Sequence, residues 1–350
     1  MNPTGSVIDL DDVEGLIAAD REGLLRAASM AGAHVRAIAA AVEEGALESV
    51  AGSRPRTVIW VAGRGTAGTA GTMLAALLGT AAAVPFVVAS GAPSWIGPLD
   101  VLVVAGDDPG DPALATAAAT GARRGARVVV VAPYEGPLRD ATAGRAVVLP
   151  PRLPMHDAYG LCRYLAAGLA TVAAVDDSMP VDVGALADEL DAEALRSSAS
   201  RELFTNPAKA LAERMIGRRV VLTADSAAPL ALAHHGSAVL LRTAGEAAAA
   251  ACLTDALVGL PTGADPVDSL FHDEQIDGPL PERFRVLALT LNSGRPVVAA
   301  RVAGHADVDI IGAEDVPDAT SVGVGSAEQQ LGVLAVRLEM AAVYLRLVRG

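Results

Sequence analysis

The sequence predicts an α/β protein made of two doubly wound parallel-sheet units, each in three α/β/α layers, flanked by helices. Three observations predict that class. Apolar runs such as Val58-Ile59-Trp60-Val61 and Val128-Val129-Val130-Val131 are continuous rather than alternating, as in parallel strands covered on both faces. Ala-rich helical stretches separate them at the spacing of βαβ units. The same grammar returns, more weakly, in the second half of a 350-residue chain, which is long enough for two cores.

In chain order, residues 11–50 read as helical, with Leu16, Ile17, Leu24, Leu25, Val35, Ile38 and Val42 on apolar faces. Strands are expected at 57–62, 85–89, 101–105, 127–132 and 146–149, with helices at 69–78 and 112–124 between them. A long helix over 156–175 closes the first unit. Asp176-Asp177-Ser178-Met179-Pro180 and an acidic helix over 183–195 form a linker. The expected boundaries are therefore 1–175 (N-terminal helices and first unit), 176–200 (linker) and 201–350 (second unit). The second unit reads as helix 207–215, strand 219–223, helix 227–235, strand 238–242 and helix 246–258. Strands at 284–291 and 308–311 and a terminal helix over 327–348 follow. Residues 259–281, rich in Pro, Gly and Asp, are long for a structureless loop and read as a lid or a subunit contact.

Composition excludes several classes. The formal net charge is −14, Lys209 is the single lysine, and the arginines are scattered, so nucleic acid is disfavoured as a partner. Aromatic residues make up only 3%, too few for base-stacking platforms. No apolar run reaches the roughly 18–20 residues of a membrane span. The nearest, Leu161–Val175, is short and holds Arg163. The N-terminal MNPTGSVIDLDDVEG is acidic and lacks the basic region and apolar core of a signal peptide. Cys162 and Cys252 sit singly in apolar patterns and read as buried thiols. A cytoplasmic protein is expected, with no membrane partner, no metal and no cofactor.

The chemistry concentrates at Gly63-Arg64-Gly65-Thr66-Ala67-Gly68-Thr69-Ala70-Gly71, between the first strand and a helix. Such a turn aims free backbone N–H groups at one spot, where the helix dipole adds positive charge. Two readings stand side by side: an anion cradle, or glycines that let the helix pack closely on its sheet. Gly63-x-Gly65-x-x-Gly68 also fits a dinucleotide fingerprint. The acidic residue that should end the second strand is missing, however, since no Asp or Glu appears before Asp100. A dehydrogenase is the lesser reading, and the Thr66 and Thr69 hydroxyls suit a phosphate better.

Further motifs join this turn. Asp100-Val101-Leu102-Val103-Val104-Ala105 enters a Gly106-Asp107-Asp108-Pro109-Gly110-Asp111 loop, and Arg123-Arg124-Gly125-Ala126-Arg127 precedes VVVVAP. Leu149-Pro150-Pro151-Arg152 leads toward the long helix, and Asn206-Pro207-Ala208-Lys209-Ala210-Leu211-Ala212-Glu213 opens the second unit. Together with the apolar end of the terminal helix, this layout resembles the sugar isomerase (SIS) family. In particular it resembles the bifunctional phosphoglucose/phosphomannose isomerases, which carry two SIS units per subunit. The resemblance implies a homodimer with pockets between subunits and a small sugar phosphate as ligand. It implies isomerisation of glucose 6-phosphate or mannose 6-phosphate to fructose 6-phosphate, or a non-catalytic module that binds a sugar phosphate or a protein partner.

By the same resemblance, Gly63, Gly65, Thr66, Thr69 and Asp108 would hold the phosphate and sugar. Glu246, in Leu241-Arg242-Thr243-Ala244-Gly245-Glu246, takes the place of the family's base at a helix start; the alternative is a glutamate that merely favours the helix dipole. His272, in Phe271-His272-Asp273-Glu274, is the nearest substitute for the ring-opening histidine. The chain departs from the family pattern in several places. Ala67 replaces the turn's serine, and Asp107, Asp108 and Asp111 replace a serine-rich loop. Arg346 and Arg349 stand where the family has a C-terminal lysine, and arginine exchanges no proton at neutral pH. The loop aspartates are either solvated acids or a water-mediated Mg²⁺ site.

Overall fold

The computed structural model describes residues 8–79, 81–260, 284–316 and 325–349. Three helices come first: α1 (Val13–Ala19), α2 (Leu24–Ser29) and α3 (Ala31–Glu43). The first sheet follows as β1 (Thr57–Ala62), α4 (Thr66–Leu78), β2 (Phe86–Ala89), β3 (Asp100–Ala105), α5 (Pro112–Arg123), β4 (Arg127–Val131), α6 (Gly136–Thr142) and β5 (Val147–Val148). Helices α7 (Leu161–Val175), α8 (Val183–Arg196) and α9 (Pro207–Met215) lead to the second sheet. That sheet comprises β6 (Arg219–Ala224), α10 (Ala227–Val239), β7 (Ala249–Cys252), α11 (Leu253–Gly259), β8 (Phe284–Leu289), α12 (Arg295–Val302) and β9 (Val308–Ile311). Helix α13 (Ala327–Arg349) ends the chain.

Both sheets are parallel throughout, in the orders β2-β1-β3-β4-β5 and β7-β6-β8-β9. Each is the same doubly wound order started afresh, so the expected α/β class with two parallel units is what the chain forms. The strand direction of winding reverses between β1 and β3, and again between β6 and β8, which opens a crevice at the carboxyl ends of those strands.

Strand periodicity divides the core. Ile59, Val61, Leu102, Val104, Val128 and Val130 face α5 and α6 in one apolar cluster. Val58, Trp60, Val101, Val103, Val129 and Val131 point the other way, into a cluster shared with Val220, Leu222, Leu287 and Leu289 of the second sheet. The helices α4, α7, α10 and α13 fill this shared layer, with α4 packed on both α7 and α10. A smaller cluster of Leu253, Ala288, Val298 and Val302 covers the far face of the second sheet. Helix α13 is buried around nearly its whole circumference, as a helix in the middle of a layered protein must be.

Three expectations are corrected. The strand expected at 238–242 is helical: α10 runs through Val239 and closes in a π-turn, Leu240–Ala244, ended by Gly245 at φ +68°. The helix expected over 246–258 is strand β7 followed by α11. Alanine favours helix locally, but an extended Ala249–Cys252 segment pairs with β6, and that tertiary pairing overrides propensity. Cys252 is exposed rather than buried, while Cys162 is buried as expected. Residues 261–283 lie outside the described residues, and with them most of the stretch read as a lid.

Candidate functional site

A cavity of about 450 Å³ sits at the carboxyl end of the first sheet, where β1 and β3 turn in opposite directions. Its lining includes Gly63, Arg64 and Gly65 from the turn after β1 and Asp107, Asp108 and Asp111 from the loop after β3. His156 and Asp157 come from the segment before α7, and Arg242 comes from the π-turn of the second unit. The second unit's own crevice is occupied differently: Arg301 of α12 pairs there with Asp225, just past β6, and with the Thr254 hydroxyl.

The turn after β1 is built for close approach. Gly65 adopts φ +89° and ψ −146°, a region that side chains avoid, and α4 starts directly after it. No side chain caps that start, and the first amides of a helix have no acceptor within it. The turn is held by Trp60, whose Nε1 donates to the Ala67 carbonyl at 3.0 Å. Gly71 has a different job: a Cβ there would lie 2.4 Å from Trp60 Cδ1, so this glycine serves packing. The packing reading of the glycines therefore holds at Gly71.

The aspartates crowd this mouth. Asp111 caps α5 through Oδ1, which accepts from Ala113 N at 2.8 Å, while its Oδ2 lies against Gly63. Asp108 Oδ1 accepts from Gly110 N at 2.8 Å. Asp107 accepts the Tyr164 hydroxyl, and its other oxygen lies beside Gly65. Burial pushes the Asp107 carboxyl above the usual aspartate range, against the pull of the Tyr164 hydrogen bond, while Asp157 adds to the rise. Below the mouth, the Thr66 hydroxyl and Arg163 Nη1 are buried without a partner among the described residues. Arg163 Nη2 donates to the Leu149 carbonyl at 2.6 Å.

The sequence-predicted residues are only partly brought together. Gly63, Gly65 and Asp108 line the cavity. Thr66 is buried behind it against Gly160, and Thr69 lies further along α4; neither is among the lining residues. Glu246 does not start a helix. It sits in the link between the π-turn and β7, where its carboxylate pairs with Arg349 of α13, and it is not among the lining residues. His272 lies outside the described residues. Among the described residues no cluster of three or more His, Cys, Asp or Glu is placed to hold a metal ion. Sequence reasoning passed over Tyr164 and Arg242. Tyr164 is hidden in an apolar helix pattern, and Arg242 falls inside the strand expected at 238–242.

No family model matches the sequence, and no curated protein matches it. Solved structures do. The tagatose-6-phosphate ketose/aldose isomerase from Escherichia coli superposes with a TM-score of 0.61 at 15% identity, covering 98% of this chain and 94% of that one. The C-terminal domain of glucosamine-fructose-6-phosphate aminotransferase from Francisella tularensis gives 0.58 at 10% identity, covering 93% and 96%. A glucose-6-phosphate isomerase like protein from Thermus thermophilus gives 0.54 at 18% identity, covering 98% and 94%. At these identities the likeness is one of architecture, and the architecture of this chain is the sugar isomerase (SIS) fold, with two units in a single chain.

Proposed function

We propose that this chain binds a phosphorylated sugar in the cavity between β1 and β3. The observation that carries the reading is the uncapped start of α4 opening on that cavity, with Arg64 and Arg242 among its lining. Backbone amides at a helix start favour a phosphate by charge and by donor geometry. The four lining carboxylates, Asp107, Asp108, Asp111 and Asp157, would repel a second anion but accept hydrogen bonds from sugar hydroxyls. A ligand with one anionic end and one hydroxylated end matches that division, and a homodimer belongs to the same proposal.

The finer reading is isomerisation of glucose 6-phosphate or mannose 6-phosphate to fructose 6-phosphate. It needs a base that moves a proton between C1 and C2. Glu246 is engaged by Arg349, whereas Asp107 lines the cavity with its carboxyl pushed up by burial, the direction a base at neutral pH requires. One titration separates the readings. Binding predicts that hexose 6-phosphates raise the melting temperature while hexoses and inorganic phosphate at equal concentration do not. Isomerisation predicts, in addition, fructose 6-phosphate appearing from mannose 6-phosphate, with loss of turnover in Asp107→Asn. No thermal response to any sugar phosphate overturns both.

A further inference from the structure

We propose that Arg242 selects the phosphoryl group of the ligand, and that the π-turn at the end of α10 exists to present it. This rests on the sugar-phosphate reading of the cavity. The first unit alone makes a poor anion site: it supplies the four lining carboxylates against one arginine, Arg64. The second guanidinium arrives from the other unit. Arg242 occupies the centre of the five-residue π-turn, Leu240–Ala244. A π-turn carries an extra residue relative to an α-helix and recurs at functional sites, because it re-aims one side chain without breaking the helix.

The turn is fixed on both sides of Arg242. Leu240 and Thr243 are buried. The Thr243 hydroxyl lies 3.2 Å from the Tyr159 hydroxyl, next to His156 of the cavity wall, whose ring stacks on Tyr159 at 4.7 Å. The Thr243 carbonyl accepts from Arg346 Nη1 at 3.4 Å. Gly245, at φ +68°, ends the turn with its amide bonded to the Leu241 carbonyl at 3.2 Å. Arg242 itself is exposed and makes no hydrogen bond or ion pair with a described residue, and its positive charge acts on Asp107 of the cavity, holding that carboxyl lower than burial alone would. A firmly mounted guanidinium whose N–H donors make no hydrogen bond to a described residue, facing a cavity short of positive charge, is the donor fork that a phosphate monoester takes in bidentate fashion.

The test uses the full chain and calorimetric titration with mannose 6-phosphate, mannose and inorganic phosphate. Arg242→Ala should weaken mannose 6-phosphate binding at least tenfold and leave the melting temperature of the free protein unchanged. Arg242→Lys should recover part of the loss, since the charge returns without the fork. The salt dependence of binding should be shallower in Arg242→Ala than in the wild type, a readout that a purely structural residue would not move. If the wild type binds and Arg242→Ala binds within twofold of it, the role of Arg242 is overturned while the binding reading stands. If the wild type binds neither mannose 6-phosphate nor any other sugar phosphate titrated in its place, the binding reading falls, and this inference with it.

Discussion

Arg337 on α13 donates Nε to Glu193 Oε1 on α8 at 2.7 Å, with side-chain exposures of 2% and 0%. Every remaining group of the pair is used. Arg337 Nη1 and Nη2 donate to the carbonyls of Gly312, Asp315 and Ala313 beyond β9, and Glu193 Oε2 accepts from Arg196 Nε at 3.0 Å. Two charges out of water are tolerable only with such complete pairing. The cluster ties the connecting helix α8 to the end of the second sheet. Removing one partner strands the other, so Glu193→Ala should lose about 3–5 kcal/mol in urea unfolding. A loss under about 1 kcal/mol would show that solvent reaches the pair.

Glu339 predicts a pH effect. It is wholly buried, with Oε1 2.8 Å from His235 Nε2 and Oε2 unpartnered among the described residues. Burial pushes its carboxyl above the ordinary 4.5, while His235, and His156 beyond it, oppose that rise. A raised folded-state value means that the native state holds the proton longer than the unfolded chain. Its contribution is full below about pH 4.5 and is lost as pH climbs through the raised value. Glu339→Gln should therefore gain on the wild type progressively as pH rises from 4.5, read as the difference in melting temperature. A difference that stays constant with pH would remove Glu339 as its source.

The glycines of α4 and α7 give opposite expectations. A Cβ on Gly168 would lie 2.2 Å from Leu74 Cδ1, and one on Gly71 2.4 Å from Trp60 Cδ1. Alanine at either should cost about 1–3 kcal/mol through overpacking. At Gly68 the nearest atom to a new Cβ is 4.0 Å away, and no positive φ is involved. Gly68→Ala should stabilise by about 0.4–1 kcal/mol through reduced freedom of the unfolded chain. Denaturation midpoints of the three variants, side by side, check the contrast.

Lys209 is buried and serves as a bracket. Its Nζ donates to the carbonyls of Ala199 at 2.9 Å and Arg201 at 2.7 Å, and lies over the Tyr344 ring at 5.7 Å. Burial lowers its pKa. Lys209→Met keeps the volume but orphans two carbonyls, and should cost about 1–3 kcal/mol for each one that water fails to reach. Unchanged thermal stability would mean that the loop at 199–201 is held by something else.

Much of the fold could be read from residues whose local and tertiary demands agree. The valine runs of β1, β3 and β4 are buried on both faces, so continuous hydrophobicity announced them. Asn206-Pro207 announced α9, because Asn206 Oδ1 accepts from both Ala208 N and Lys209 N. Where the demands conflict, the pattern misled. Ala249-Ala250-Ala251 looks helical and forms an edge strand; Leu240-Leu241 looks like strand and forms the π-turn. The site was legible in its glycine turn, since Gly65 is tied to a backbone shape, and in the aspartate loop after β3, which lines the same cavity. Tyr164 and Arg242 reach the cavity region from segments far away in sequence, and no local spacing records that. Glu246 shows the converse: a motif position carried over without its helix places the carboxylate beside Arg349 instead.

Helix α13 spans 23 residues, 18 of them buried, and packs on α8, α9 and α10 as well as on the N-terminal helices. Ribosomes deliver it after everything it must support. Until residues 327–349 have been synthesised, the inner faces of both sheets lack a wall of their common core, so a nascent chain exposes that apolar surface to chaperones up to that point.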